Sequence, residues 1–454
     1  MTDADLIVAG GTVVTGSGRR RADVAVKDGR IVAIGGLEPS AGTEMVDATG
    51  LLVLPGGVDS HVHLMDPGST DREDFPSGTR AAAAAGVTTI IEHSHGRPVR
   101  TPEDLRTKAG YLRGRSNVDF ALVAHAWPGY EVAPLWAAGV AFFKVFTCTT
   151  HGVPGHDAAA LQRHLQATTD VGAVSLIHCE DESMTEAAEL ALRTEERLDG
   201  GLIPQWRSRE AEEIAAMTTA MLVRQTGARA CVAHVSNPGV ADYLAGERAR
   251  GARLMAETCP QYLLLREHEV LDHGAFHKFT PPVRARHAAD EADMWRALRD
   301  GRLTHVSSDH APSTAGQKMS GDIWDTHFGL PGIDSTLALL LDAAARELLA
   351  YEDIARLYSE TPARFYGLWP RKGAVAPGFD ADIALVDPAA HWTLRSTDVL
   401  SKAGWTPYDG RRITGRVVRT LLRGKLVGEN GLPLDERTGC FLAGAGSTRG
   451  ARTW

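Results

Sequence analysis

Residues 140–180 read VAFFKVFTCTTHGVPGHDAAALQRHLQATTDVGAVSLIHCE: an apolar run of strand length, a helical stretch, and a second apolar run. Strand, helix and strand in that order lay two parallel strands side by side, with the helix covering them. The same rhythm extends in both directions, from about Gly56 to Leu368. VDSHVHL (58–64), VTTIIEHSH (87–95) and FALVAHAW (120–127) precede it, and ACVAHVS (230–236), RLMAETCP (253–260) and LTHVSSDHAP (303–312) follow. With VAFFKVFT and AVSLIHCE these make eight runs, the number that closes a (β/α)8 TIM barrel, so the pattern predicts an α/β fold of that type.

The flanks break the rhythm. DLIVAGGTVV (5–14), ADVAVKDGRIVAIG (22–35) and LLVLP (51–55) are short strands punctuated by Gly and Asp, and strand-like segments return in 374–388 and 417–427. The two chain ends are therefore expected to build one small β-sandwich beside the barrel. Residues 1–55 form its first part, 56–368 the barrel, 369–440 its second part, and 441–454 a tail that is flexible or packs on a partner subunit.

The composition of the 454 residues, 43% hydrophobic and 23% charged, suits a globular protein with a sizeable core. A net charge of −9 with no basic stripe argues against nucleic acid or an anionic membrane as partner and favours a small molecule. No apolar run approaches the roughly 20 residues of a membrane span, and the first residues lack a basic segment followed by an apolar one, so a cytoplasmic location is expected. The five cysteines, Cys148, Cys179, Cys231, Cys259 and Cys440, form no CxxC pair and are odd in number, which predicts reduced thiols.

Polar residues close the apolar runs, where barrel enzymes place their chemistry. His61 and His63 lie two apart on a strand, so both side chains leave the same face and can reach one ion. With 18 histidines in the chain, chance gives roughly 0.7 such HxH pairs, so the spacing says little by itself. His93 and His95 repeat it and read as pocket wall or loop. The wider set discriminates, because His178, His234 and Asp309 each close a separate strand and belong to the residue types that bind divalent transition metals. Lys144 is the odd member. A charged ammonium has no lone pair, so the side chain can bind a cation only if uncharged or modified. Burial beside metals would depress its pKa, and the free amine can then capture carbon dioxide as a carbamate.

HVHL after PGGVDS, the strand-borne Lys144, the later His178 and His234, and SDHAP together resemble the cyclic amidohydrolases of the amidohydrolase superfamily: dihydropyrimidinase (hydantoinase), allantoinase and dihydroorotase. The likeness spans nearly the whole chain. Residues 67–89, PGSTDREDFPSGTRAAAAAGVTT, resemble the stretch after HxH in allantoinases and dihydroorotases, while ETCPQYLLL, TPPVR and GLPGIDSTLALLL are similar to segments of hydantoinases. The resemblance implies that His61 and His63 hold one metal, His178 and His234 the other, that Lys144 is N6-carboxylysine bridging them, and that Asp309 binds the first metal and shuttles the proton. It implies a bridging hydroxide as nucleophile, two divalent ions with zinc as default, and a homo-oligomer, tetramer or dimer.

The ring is less legible. Dihydroorotases carry an arginine two residues after the second histidine of HxH, where this chain has Met65, which argues against dihydroorotate. Hydantoinases place a tyrosine five residues after the modified lysine, where this chain has Thr149. The Thr280 to Pro281 and Phe328 to Gly332 segments resemble loops where that family binds the amide edge of its substrate, so Thr149, Thr280, Phe328 and Gly329 are the substrate-contact candidates. His125, Trp127, Phe146 and His151 line the pocket or simply pack, and Arg284 caps a helix or pairs structurally. The expected activity is hydrolysis of a cyclic ureide or imide of hydantoin, allantoin or dihydropyrimidine type. The alternatives are an atypical substrate, the cyclising direction, or a non-catalytic oligomeric scaffold.

Overall fold

The computed structural model describes residues 2–93 and 95–447; part of the predicted tail, 448–454, lies outside them. Barrel strands run through Gly57–Val62, Val87–Glu92, Asp119–Leu122 with its continuation Ala124–His125, Phe143–Phe146, Val174–His178, Arg229–Val232, Leu254–Thr258 and His305–Val306. Each pairs in parallel with the next. The ring closes where Val62 bridges His310 and the His63 N–H donates to the His310 carbonyl at 2.7 Å. All eight apolar runs read from the sequence are barrel strands. They are buried on both sides, which is why they appear as continuous apolar runs and not as alternating ones.

The helix of the opening βαβ unit, Ala158–Val171, shows how the outer layer forms. Its buried residues Leu161, His164, Leu165 and Thr168 recur at helical spacing and face the barrel. Asp157 caps its first turn by accepting from the Ala160 N–H, and Gly172 ends it at φ 69°, a left-handed conformation that glycine adopts without steric cost.

Both chain ends contribute to the sandwich. A seven-stranded sheet runs Leu432–Pro433, Lys425–Glu429, Arg412–Leu422, Ile383–Thr393, Leu52–Pro55, Thr12–Thr15, Gly18–Arg21, and Ile383 opposite Pro55 joins the two halves. A four-stranded sheet of Arg30–Gly35, Asp23–Lys27, Leu6–Ala9 and Glu44–Asp47 packs against it through Val8, Val24, Val13, Val53, Leu385 and Leu421. A buried ionic knot fastens the sandwich to the barrel. Lys372 Nζ, fully buried, donates to Asp119 at 2.6 Å on the third strand position and to Asp382 at 2.7 Å, with Asp380 at 2.9 Å. The five cysteines are free thiols, and among the described residues no helix is long and apolar enough to cross a membrane.

Candidate metal centre

Five strand ends deliver the six predicted ligands to one place, His61 and His63 sharing the first. His61, His63, Lys144, His178, His234 and Asp309 line a single small cavity at the C-terminal mouth of the barrel, together with His95, Phe146, His151, Phe279, Thr280, Ala311, Phe328 and Gly329. His61 Nε2 lies 3.3 Å and His63 Nε2 3.4 Å from Asp309 Oδ1. Lys144 Nζ lies 3.1 Å from His61 Nε2, and His178 Nδ1 lies 2.9 Å from His234 Nε2. His234 and Asp309 take positive φ, 39° and 47°, directly beyond their strands. Such backbone costs on the order of 1–3 kcal/mol in a non-glycine residue and persists where the surroundings enforce a function.

The hydrogen-bond network decides which ring nitrogens carry protons. His61 Nδ1 faces Glu257 Oε1 at 2.7 Å and His63 Nδ1 faces the His93 carbonyl at 2.6 Å. Both partners only accept, so both Nδ1 atoms are protonated and both Nε2 atoms are left as lone pairs. Those lone pairs converge on Asp309 Oδ1, a third acceptor. On the other side His178 Nε2 faces Glu180 Oε2 at 2.7 Å, which leaves its Nδ1 lone pair toward His234. Apart from the Lys144 amine, 3.1 Å from His61 Nε2, this wall presents imidazole and carboxylate acceptors to one another, a set that a cation reconciles, so it fits divalent metal. Burial also keeps the imidazoles neutral: His63 falls to about 3, and His61 and His234 well below the usual histidine range. Lys144, 1% exposed, has no carboxylate partner among the described residues, and burial lowers its amine pKa. Burial pushes the Asp309 carboxyl up to about 7.

Residues 52–427 match the family model described as "Amidohydrolase family". The chain belongs to the amidohydrolase family. It is 38% identical over 453 residues to an allantoinase of Rubrobacter xylanophilus, covering 97% of this chain and 98% of that protein. It is 31% identical over 445 residues to a D-phenylhydantoinase of Escherichia coli, covering 93% and 94%. The solved structure of an L-hydantoinase (dihydropyrimidinase) from Arthrobacter aurescens superposes with a TM-score of 0.92 at 28% identity, over 97% of this chain and all of that one. The likeness to cyclic amidohydrolases and the barrel with a sandwich from both chain ends are thereby borne out, and divalent-metal binding comes with the family.

The substrate-contact candidates of this amidohydrolase are dispersed. Thr280, Phe328 and Gly329 line the cavity, but Thr149 is exposed, does not line it, and accepts from the Gly155 N–H. Thr280 Oγ1 donates to Glu180 at 2.7 Å, the Phe328 carbonyl accepts from Arg72, and the Gly329 N–H donates to the Lys278 carbonyl at 3.1 Å. His95, Phe146 and His151 are cavity wall. His125 is fully buried beside His95 and Phe146, Trp127 stacks under the Arg100 guanidinium, and His93 stacks on His61 with centroids 4.3 Å apart. Arg284 pairs structurally, with Glu180 and Glu212.

Two carboxylates went unread in the sequence. Glu257, fully buried, orients His61 and also accepts from Ser60 Oγ and the His234 N–H. Glu180, equally buried, is held ionised, well below the usual carboxylate range: burial alone would raise it, and the Arg207 and Arg284 guanidiniums and His178 outweigh that. Each stands at a strand end beside a histidine, and Glu180 lies two residues beyond His178, just past the end of its strand.

Proposed function

We propose that this amidohydrolase opens the amide bond of a cyclic ureide or imide of hydantoin, allantoin or dihydropyrimidine type. His61, His63 and Asp309 would hold one divalent ion and His178 and His234 a second, with zinc as the default metal and Lys144, as N6-carboxylysine, between them. The observation carrying this is the convergence of six side chains from five strand ends on one cavity, with the lone pairs of His61 Nε2, His63 Nε2 and His178 Nδ1 turned inward. The names of the allantoinase and phenylhydantoinase relatives support the substrate class.

The bound ions would supply Lewis acidity toward the scissile carbonyl and water made nucleophilic near neutral pH. The chain's own residues do the rest. Free Lys144 amine adds carbon dioxide, forming an N–C bond and releasing one proton, and so becomes an anion. Asp309 accepts the proton of the attacking water and returns it to the ring nitrogen as the C–N bond breaks, since an amide nitrogen leaves poorly without it. Thr280, Phe328 and Gly329 shape the wall against which the ring is oriented, and the buried surround excludes bulk water.

Turnover of hydantoin, allantoin and dihydrouracil by protein supplied with divalent metal and bicarbonate is the test. Ring opening of at least one is expected, and no turnover of any of them overturns the proposal.

A further inference from the structure

Glu180 does not touch the cavity, yet its carboxylate is saturated. Oε2 accepts from His178 Nε2 at 2.7 Å, Thr280 Oγ1 at 2.7 Å and Arg207 Nη1 at 3.1 Å, and Oε1 accepts from Arg284 Nη2 at 2.6 Å. Arg284 also donates to Glu212 Oε2 at 3.0 Å and to Ser236 Oγ at 3.1 Å, two residues beyond His234. Two guanidiniums and two carboxylates balance in charge, so the group is rigid and needs no outside counter-ion.

Of the two histidines on this side of the cavity, only His178 has its tautomer fixed by a group other than a histidine; His234 can be set only through His178. His234 Nδ1 is buried without a partner among the described residues, and the near neighbour of its Nε2 is His178 Nδ1. On the opposite side both histidines have fixed tautomers, through Glu257 and the His93 carbonyl. We infer that Glu180 is a positioning residue that presets the His178/His234 half of the metal centre alone, by holding the proton on His178 Nε2, and that through Thr280 it ties this half to the cavity wall. The inference rests on the ligand set proposed above. In Glu180→Gln the carboxamide can turn an N–H toward Nε2, which moves the ring proton to Nδ1 and closes the lone pair that would meet the ion.

The test is Co²⁺ titration into metal-free protein, with ¹⁵N NMR of histidine-labelled chain reporting the His178 tautomer before metal is added. The wild type should bind two ions and show Nε2 protonated. Glu180→Gln should keep one site at wild-type affinity, weaken the other by 10- to 100-fold, and lose the Nε2-protonated signal. Should that variant fail to fold, Glu180→Gln with Arg207→Gln removes one cation with one anion and is measured in its place. Two unchanged affinities, equal weakening of both sites, or an unaltered tautomer would each overturn the inference. Fewer than two ions in the wild type would instead count against the proposed function, while the tautomer measurement, made without metal, still judges Glu180.

Discussion

Replacing Gly329 with alanine isolates the cavity wall from the metal centre. The residue sits at φ +127°, and a Cβ built on it would lie 2.0 Å from the Ala311 carbonyl oxygen and 2.8 Å from the Ala311 Cβ. Neither neighbour can swing away. The Ala311 N–H donates to the Leu330 carbonyl at 2.9 Å, His310 bridges Leu330, and the Phe328 carbonyl is held by Arg72. The wall must therefore retreat by about 1 Å, against an interior packed as tightly as a crystal. Misplacement of that size around a reacting group costs about 100-fold in rate, and the strained backbone adds about 1–3 kcal/mol of instability. Gly329→Ala should thus lose 10- to 100-fold in kcat/KM for ring opening while retaining the wild-type metal content. Steady-state kinetics beside metal analysis reads both. Wild-type kcat/KM in the folded variant would refute the reasoning.

Glu257→Gln keeps an acceptor for His61 but removes its charge, so metal affinity should fall about 10- to 100-fold, as is usual for an outer partner of a ligand, and activity should recover with added metal; unchanged affinity in a competition titration contradicts this. Lys372→Met leaves Asp382 buried without a side-chain cation, while Asp119 keeps Arg423 and Asp380 keeps Arg371, and should cost about 3–5 kcal/mol in urea denaturation; a loss under 1 kcal/mol argues against the knot. His164, buried away from the metal centre and donating or accepting at Ser175 Oγ, is pushed by burial from 6.5 to about 3. The unfolded chain takes up a proton at this residue below pH 6.5 that the native chain refuses, so stability falls as pH drops from 6.5 toward 3. The effect reaches about 2 kcal/mol at pH 5, and His164→Gln should remove that share of the pH 7 to pH 5 difference; an identical pH dependence in the variant would sink it.

The barrel was legible because strands buried on both faces must be apolar throughout, so each run announced itself and the residue closing it stood out. His61, His63, Lys144, His178, His234 and Asp309 were found that way, and the structure brings them together. Their supports were harder to read. Glu180 carried a signal, an acid two residues beyond His178, but its partners Arg207 and Arg284 lie 27 and 104 residues away and become neighbours only on closure of the barrel. Thr149 is an instructive case. Inward direction holds on the strand at Lys144 and Phe146, then ends where the chain turns into a loop, so a position counted five residues on from Lys144 faces solvent. The knot at Lys372 is likewise invisible to any local pattern, since Asp119 is 253 positions away.

Anomalous diffraction from crystals of the cobalt-loaded protein addresses the metal centre most directly. Two peaks are predicted inside the barrel mouth, one within coordination distance of His61 and His63 Nε2 and the other of His178 Nδ1 and His234 Nε2, with density extending from Lys144 Nζ between them. A single peak, or ions bound by other residues while these six stay unliganded, would contradict the account.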